Sequence, residues 1–193
     1  MTFNDLTSPI RLVETRRSAK PRDMVEPGPD PVQLDRILGA AMRVPDHGKL
    51  APWRFVIIQP DGREALARLL VTAYRAEKPD AGRLELESME QFAVQAPVLV
   101  VVLSAPAADS KIPLWEQQLS AGAACMNMLN AAHALGFTGC WLTGWPAYSE
   151  AVRDAFGGPG CRVAGFLFFG SPGQPLKERP RPEFDAIVSH WPA

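Results

Sequence analysis

Arg43-Val44-Pro45-Asp46-His47-Gly48-Lys49-Leu50-Ala51-Pro52-Trp53-Arg54-Phe55 is the stretch on which the reading of this chain turns. Before it, Leu34, Ile37, Leu38, Ala41 and Met42 repeat at helical spacing behind Asp30-Pro31-Val32-Gln33, which supplies a cap, a first-turn proline and a capping-box glutamine. That helix must stop near Val44, because a proline disfavours helical conformation in the residue before it. After it, Phe55-Val56-Ile57-Ile58 is a β-branched run closed by Pro60-Asp61-Gly62, hence a strand and a turn. Between the two anchored ends lie a guanidinium, an imidazole, an ammonium and an indole. Binding residues concentrate on connections that rigid elements hold in this way, although an ordinary solvated helix-to-strand turn has the same composition.

Working outward toward the N-terminus, Ser8 can cap a helix with Pro9 at its first position, and Ile10, Leu12 and Val13 lead into the basic run Arg16-Arg17. On the other side, Leu66, Leu69, Leu70, Ala73 and Tyr74 mark an amphipathic helix. From Lys78 to Gln95 the chain turns polar and acidic, with Leu84, Met89 and Phe92 as its few anchors, which suits a surface helix or a mobile cover. Pro97 to Leu103 is a continuous apolar run, the pattern of a central strand covered on both faces. Leu114 to Leu135 is small and apolar on nearly every side, which predicts a buried helix ended by Gly136. Phe137 to Thr143 reads as a strand, Ser149 as the cap of a short helix closing at Gly157, and Val163 to Phe169 as a fourth strand. The prolines after Ser171 predict an extended tail lying over the surface or over a partner subunit. Four strands interleaved with five or six helices predict an α+β fold, an α/β sandwich with helices packed on a central sheet, as a single domain across residues 1–193.

At 193 residues and 47% hydrophobic the chain can bury a sizeable core, and its net charge of −1 creates no field that would attract nucleic acid or an anionic membrane. No apolar run reaches the length of a membrane span, and Met1-Thr2-Phe3-Asn4-Asp5 does not begin a basic-then-apolar leader, so a cytoplasmic location is expected. Cys125, Cys140 and Cys161 are far apart and form no Cys-x-x-Cys pair, which predicts free buried thiols. His47, His133 and His190 show no metal-ligand spacing, so no metal site is expected, and His133 on the apolar helix reads as a satisfied core histidine. Gly-x-Gly-x-x-Gly after a strand, a Walker-type loop, His-Glu-x-x-His and Gly-x-Ser-x-Gly are all absent.

The second informative segment is Arg16-Arg17-Ser18-Ala19-Lys20. Two guanidiniums, a hydroxyl and an ammonium at one helix end can hold a phosphate through charge-assisted hydrogen bonds, although a solvated basic face has the same composition. Three features occur in order: Arg-x-Ser-x-Lys, then Val44-Pro45 with Pro52-Trp53-x-Phe55, then an Ala-rich helix running into Gly136-Phe137-x-Gly139. Together they resemble the nitroreductase family of flavoenzymes along essentially the whole chain. Arg16-Arg17-Ser18, Arg43-Val44-Pro45-Asp46-His47 and Trp115-Glu116-Gln117 resemble forms found in its short, minimal members. Many relatives carry Ser where His47 stands and Asn where Lys49 or Leu50 stands.

The resemblance implies a mainly antiparallel, mixed sheet flanked by helices, and FMN as cofactor with NADH or NADPH as hydride donor. It implies that Arg16, Arg17 and Ser18 bind the phosphate and ribityl end and that Lys20 approaches the pyrimidine, where a cation stabilises reduced flavin. It further implies that Arg43 and His47 reach the flavin of the opposite subunit of a homodimer, and that Trp141, Leu142 and Thr143 line the ring. Lys177, Arg179 and Arg181 lie where relatives place basic residues on the phosphate. A small, flat electron acceptor such as a nitroaromatic or quinone is implied as second substrate, with the chemistry carried by FMN and no side chain as nucleophile. The alternative is a flavin-binding carrier or sensor without turnover.

Overall fold

The computed structural model describes residues 2–192. Helix α1 (Pro9–Thr15) is capped by Ser8, whose side chain accepts from Arg11 N, and is followed by the short strand β1 (Met24–Val25). The capping box of Asp30 and Gln33 forms at the start of α2 (Pro31–Ala41). Then come β2 (Trp53–Ile58), α3 (Arg63–Glu77), α4 (Arg83–Val94), β3 (Val98–Ser104) and the long α5 (Leu114–Ala134). Strand β4 (Thr138–Leu142), α6 (Glu150–Phe156), β5 (Arg162–Pro172) and the single turn α7 (Phe184–Ile187) complete the chain.

The fold is α+β. Strand β3 lies between β2 and β5, β5 also carries β4, and β1 pairs with the end of β5; each of these pairings is antiparallel. Alternation along β3 decides what each helix covers. Leu99, Val101 and Leu103 join Leu66, Leu70 and Ala73 of α3, Ala93 of α4 and Val152 of α6 on one face. Val100 and Val102 join Ile37 and Ala41 of α2 and Ala124, Cys125 and Met128 of α5 on the other. Both faces of the strand are therefore apolar, as its unbroken hydrophobic run predicts. Burial on this scale contributes about 25 cal/mol per Å² of apolar surface, the main force holding helices to sheet.

Of the two alternatives for the polar 78–95 stretch, the structure has the surface helix, packed on α3, with the expected anchor Leu84 exposed and Ala93 buried. Three further details differ from the sequence reading. Helix α5 is buried along one side only, leaving Leu114, Trp115 and Leu119 more than half exposed, because a single sheet can cover only one side of a helix. Ser149 stands at the cap position of α6, but its hydroxyl donates to Glu77 Oε1 at 2.6 Å. His133 is buried with Nδ1 2.5 Å from Leu129 O, while its Nε2 has no partner among the described residues. Among those residues no helix is long and apolar enough to cross a membrane.

Candidate functional site

The basic segment leaves α1 at Arg16 and runs beside β4, which among the described residues pairs with β5 alone and so has a free edge. Ala19 N donates to Thr138 Oγ1 at 3.3 Å. Asn4 clamps the segment from outside, its Oδ1 accepting from Arg17 N at 2.8 Å and its Nδ2 donating to Arg17 O at 3.4 Å. Arg16 Nη1 donates to Ser18 Oγ at 3.3 Å, and Arg17 Nε donates to the Lys177 carbonyl at 2.7 Å, which ties the tail to the cluster. Arg17, Ser18, Lys20 and Lys177 line a cleft of about 440 Å³. None of Arg16, Arg17, Lys20 and Lys177 forms an ion pair among the described residues. Burial, and then the like charges of Arg181 and Arg17, hold the Arg16 guanidinium below its ordinary pKa. Four cations with no ion pair of their own are an arrangement suited to an anion, although Asp23 also lines the cleft and Arg181 is paired with Glu178 at 3.5 Å. Arg181 thus acts at the cluster, whereas Arg179 is exposed and its backbone N–H bonds only Glu178.

The 43–55 loop is fastened to α5. Ser120, buried on that helix, accepts from Trp53 Nε1 at 3.2 Å and donates to Pro45 O at 2.7 Å. Asn127 donates to Ala40 O at 2.6 Å and to Arg43 O at 3.5 Å, satisfying carbonyls at the end of α2. Asp46 accepts from Leu50 N and Ala51 N, and within this turn Gly48, Lys49 and Ala51 all take positive φ, at 79°, 55° and 47°. Left-handed lysine and alanine are strained, and such conformations persist only where surrounding bonds enforce them. His47 Nδ1 lies 2.7 Å from Glu116 Oε2 on the surface, and Arg43 is exposed.

Trp141 closes the end of β4. Its Nε1 donates to Ala164 O at 2.9 Å, and the indole rests on Gly165, where a Cβ would stand 2.0 Å from Nε1. Leu142 and Thr143 follow, half-buried, and then Gly144 at φ 62°, ψ −167°, a conformation essentially reserved for glycine. The 16–20 segment and the 141–143 segment thus lie along one strand. His47 does not join them within one chain, whereas the Arg43 carbonyl meets Asn127, within two helical turns of His133 on α5. Arg16 and the Arg17 carbonyl act on His133 near one end of α5, while His47 pairs with Glu116 near the other. At about 1.5 Å rise per residue those two positions are roughly 25 Å apart. Ser120 and Asn127, polar residues within the small and apolar middle of the helix, could have been flagged in sequence as anchors; nothing in the sequence marks Asn4.

The model of the nitroreductase family matches residues 13–171. The chain is 38% identical over 167 residues to the "Putative NAD(P)H nitroreductase YdjA" of Escherichia coli K12, covering 84% of this chain and 87% of that protein. A nitroreductase-like family protein from Bacillus cereus superposes with a TM-score of 0.79 at 20% identity, over 100% of this chain and 99% of that one. A nitroreductase-type structure from Desulfovibrio desulfuricans in complex with FMN superposes at 0.71 and 22% identity, over 94% and 96%. From this match along most of its length, together with the basic segment, anchored loop and sheet described above, the chain belongs to the nitroreductase family.

Proposed function

We propose that this chain is an FMN-dependent oxidoreductase that uses NADH or NADPH to reduce flat acceptors such as nitroaromatics or quinones by a ping-pong route, and that it works as a homodimer. The observation that carries the reading is the cluster of Arg16, Arg17, Lys20 and Lys177 beside β4, none of them in an ion pair among the described residues although Asp23 shares the cleft. A terminal phosphate close to two negative charges fits that cluster, and the Desulfovibrio relative of this fold is an FMN complex. When bound, FMN supplies hydride transfer through N5 from the nicotinamide to the acceptor.

The protein's own work is to bind, orient and tune. Arg16, Arg17 and Ser18 hold the phosphate end, with Lys177 and Arg181 adding charge, and Lys20 serves the pyrimidine end. The main chain of Trp141, Leu142 and Thr143 lines the ring, aimed by the glycine turn at 144. Arg43 and His47 serve the site of the other subunit, because His47 stands farther from Arg17 in its own chain than one mononucleotide reaches. Exposed Leu114, Trp115 and Leu119 on α5 and Phe184, Ile187 and Trp191 in the tail supply apolar surface for that subunit to cover.

The test is the spectrum of the purified protein, identification of any released flavin as FMN, and NAD(P)H oxidation with and without a nitroaromatic. Turnover that depends on the acceptor supports the reading. Colourless protein that takes up no FMN contradicts it, and bound flavin without turnover favours the carrier. Arg17→Ala should weaken FMN binding by on the order of 10- to 100-fold, the loss of a charge-assisted hydrogen bond of about 1.5–3 kcal/mol, and Lys49→Ala should change it little. Equal dissociation constants for the two variants would move the phosphate elsewhere.

A further inference from the structure

Beyond Trp141, on the α5 side of the sheet, the ends of β3 and β5 enclose a cleft of about 500 Å³ that shares only Trp141 with the residues assigned to the flavin. Ser104, Gly122, Trp141, Tyr148 and Arg162 line it, as do Glu150 and Arg153, which pair with each other at 3.3 Å. Its size is that of a small-molecule site. Ser104 and Arg162 are paired across the two antiparallel strands, so their side chains emerge side by side on one face. The Ser104 hydroxyl is buried and has no hydrogen-bond partner among the described residues, an arrangement that costs stability unless something else satisfies it. Arg162 makes no ion pair among the described residues, whereas the neighbouring Arg153 is engaged by Glu150 and Asp154. A free guanidinium beside an unsatisfied hydroxyl is a holder for a carboxylate.

The rest of the cleft selects the body attached to that carboxylate. Trp141 is fixed by its bond to Ala164 O and by Gly165 beneath it, so it offers a rigid aromatic wall, and Gly122 leaves space beside the indole. Tyr148, 79% exposed, adds a second aromatic side chain. The opposite wall is held too: Glu77 at the end of α3 accepts from Trp145 Nε1 at 2.7 Å and from Ser149 Oγ at 2.6 Å, which fixes the segment carrying Tyr148. We propose that this cleft binds planar aromatic carboxylates, with the acid group on Arg162 and Ser104 and the ring against Trp141. Because Trp141 also begins the segment assigned to the flavin, acids of this class are then the preferred acceptors, a consequence that rests on the function proposed above.

The test measures binding of 4-nitrobenzoate and of its uncharged methyl ester by calorimetry, to the purified protein without nicotinamide. The acid should bind at least about tenfold tighter than the ester, and Arg162→Gln should erase that preference. Ser104→Ala should weaken the acid severalfold without lowering the melting temperature, since it removes an unsatisfied group rather than a made bond. Equal binding of acid and ester to the unaltered protein, or a preference that survives Arg162→Gln, overturns the proposal. So does a preference lost in Lys177→Gln and kept in Arg162→Gln, which would seat the acid in the basic cluster. Selective acid binding by protein that proves unable to take up FMN would uphold the cleft while removing the flavin reading.

Discussion

His133 illustrates how one side chain carries both packing and electrostatics. Burial lowers its pKa from 6.5 to about 4, the nearby Arg16 charge adds to that, and the carbonyls of Leu129 and Arg17 oppose it. The folded state therefore favours the neutral imidazole, and the unfolded chain binds more protons between those two values. The stability this contributes is complete above pH 6.5, falls as pH drops toward about 4, and is constant below that. Its size is roughly 3 kcal/mol at about 1.4 kcal/mol per pKa unit. Urea unfolding of the protein and of His133→Leu across pH 7 to 4 should yield a steeper loss for the unaltered chain. Parallel pH profiles would mean that His133 titrates normally. The apolar surroundings of His133 were legible from the residues beside it on α5. The missing partner for Nε2 was not, since it depends on where α1 ends against α5.

Arg63 does at the level of elements what no periodicity announces. It is the first residue of α3, is buried, and donates to Ala93 O, Gln95 O, Ala96 O and Pro97 O at 2.8–3.3 Å. One guanidinium thus closes the end of α4 and sets the turn into β3, where Ala96 takes φ 57°. Burial lowers its pKa, yet four carbonyls and the negative end of a helix keep the charge satisfied. Arg63→Met should cost about 3–5 kcal/mol in denaturant unfolding, because four acceptors lose their donor, with Arg63→Lys recovering part. A loss below about 1 kcal/mol would show that water replaces the guanidinium. Helices and the four longer strands were readable because apolar spacing and caps such as Asp30 and Gln33 are local. The pair Met24–Val25 was not, since a two-residue strand exists only through its partners Ser171 and Pro172. Leu84 misled for the same reason: its apolar character says nothing about which side of α4 meets α3.

At the scale of the molecule, the sheet is covered on both faces while apolar side chains remain open on α5 and along the tail, with Trp191 at 95% exposure. An interface that covers them would belong with obligate dimers, typically above roughly 2,000 Å² in total. The basic segment was legible as a phosphate holder because its residues are adjacent in sequence, and the anchored loop because a helix and a strand flank it. Their separation along α5 was not legible, since sequence distance between Arg17 and His47 does not fix spatial distance. That separation is the reason the account needs two chains at each flavin. The direct measurement is flavin content in heterodimers isolated from a mixture of Arg17→Glu and His47→Glu chains, each of which alone should bind no FMN. One site then carries both lesions and the other neither, so about one flavin per heterodimer should return. Heterodimers that recover no flavin would contradict the account, because residues acting within one chain leave a lesion in every site.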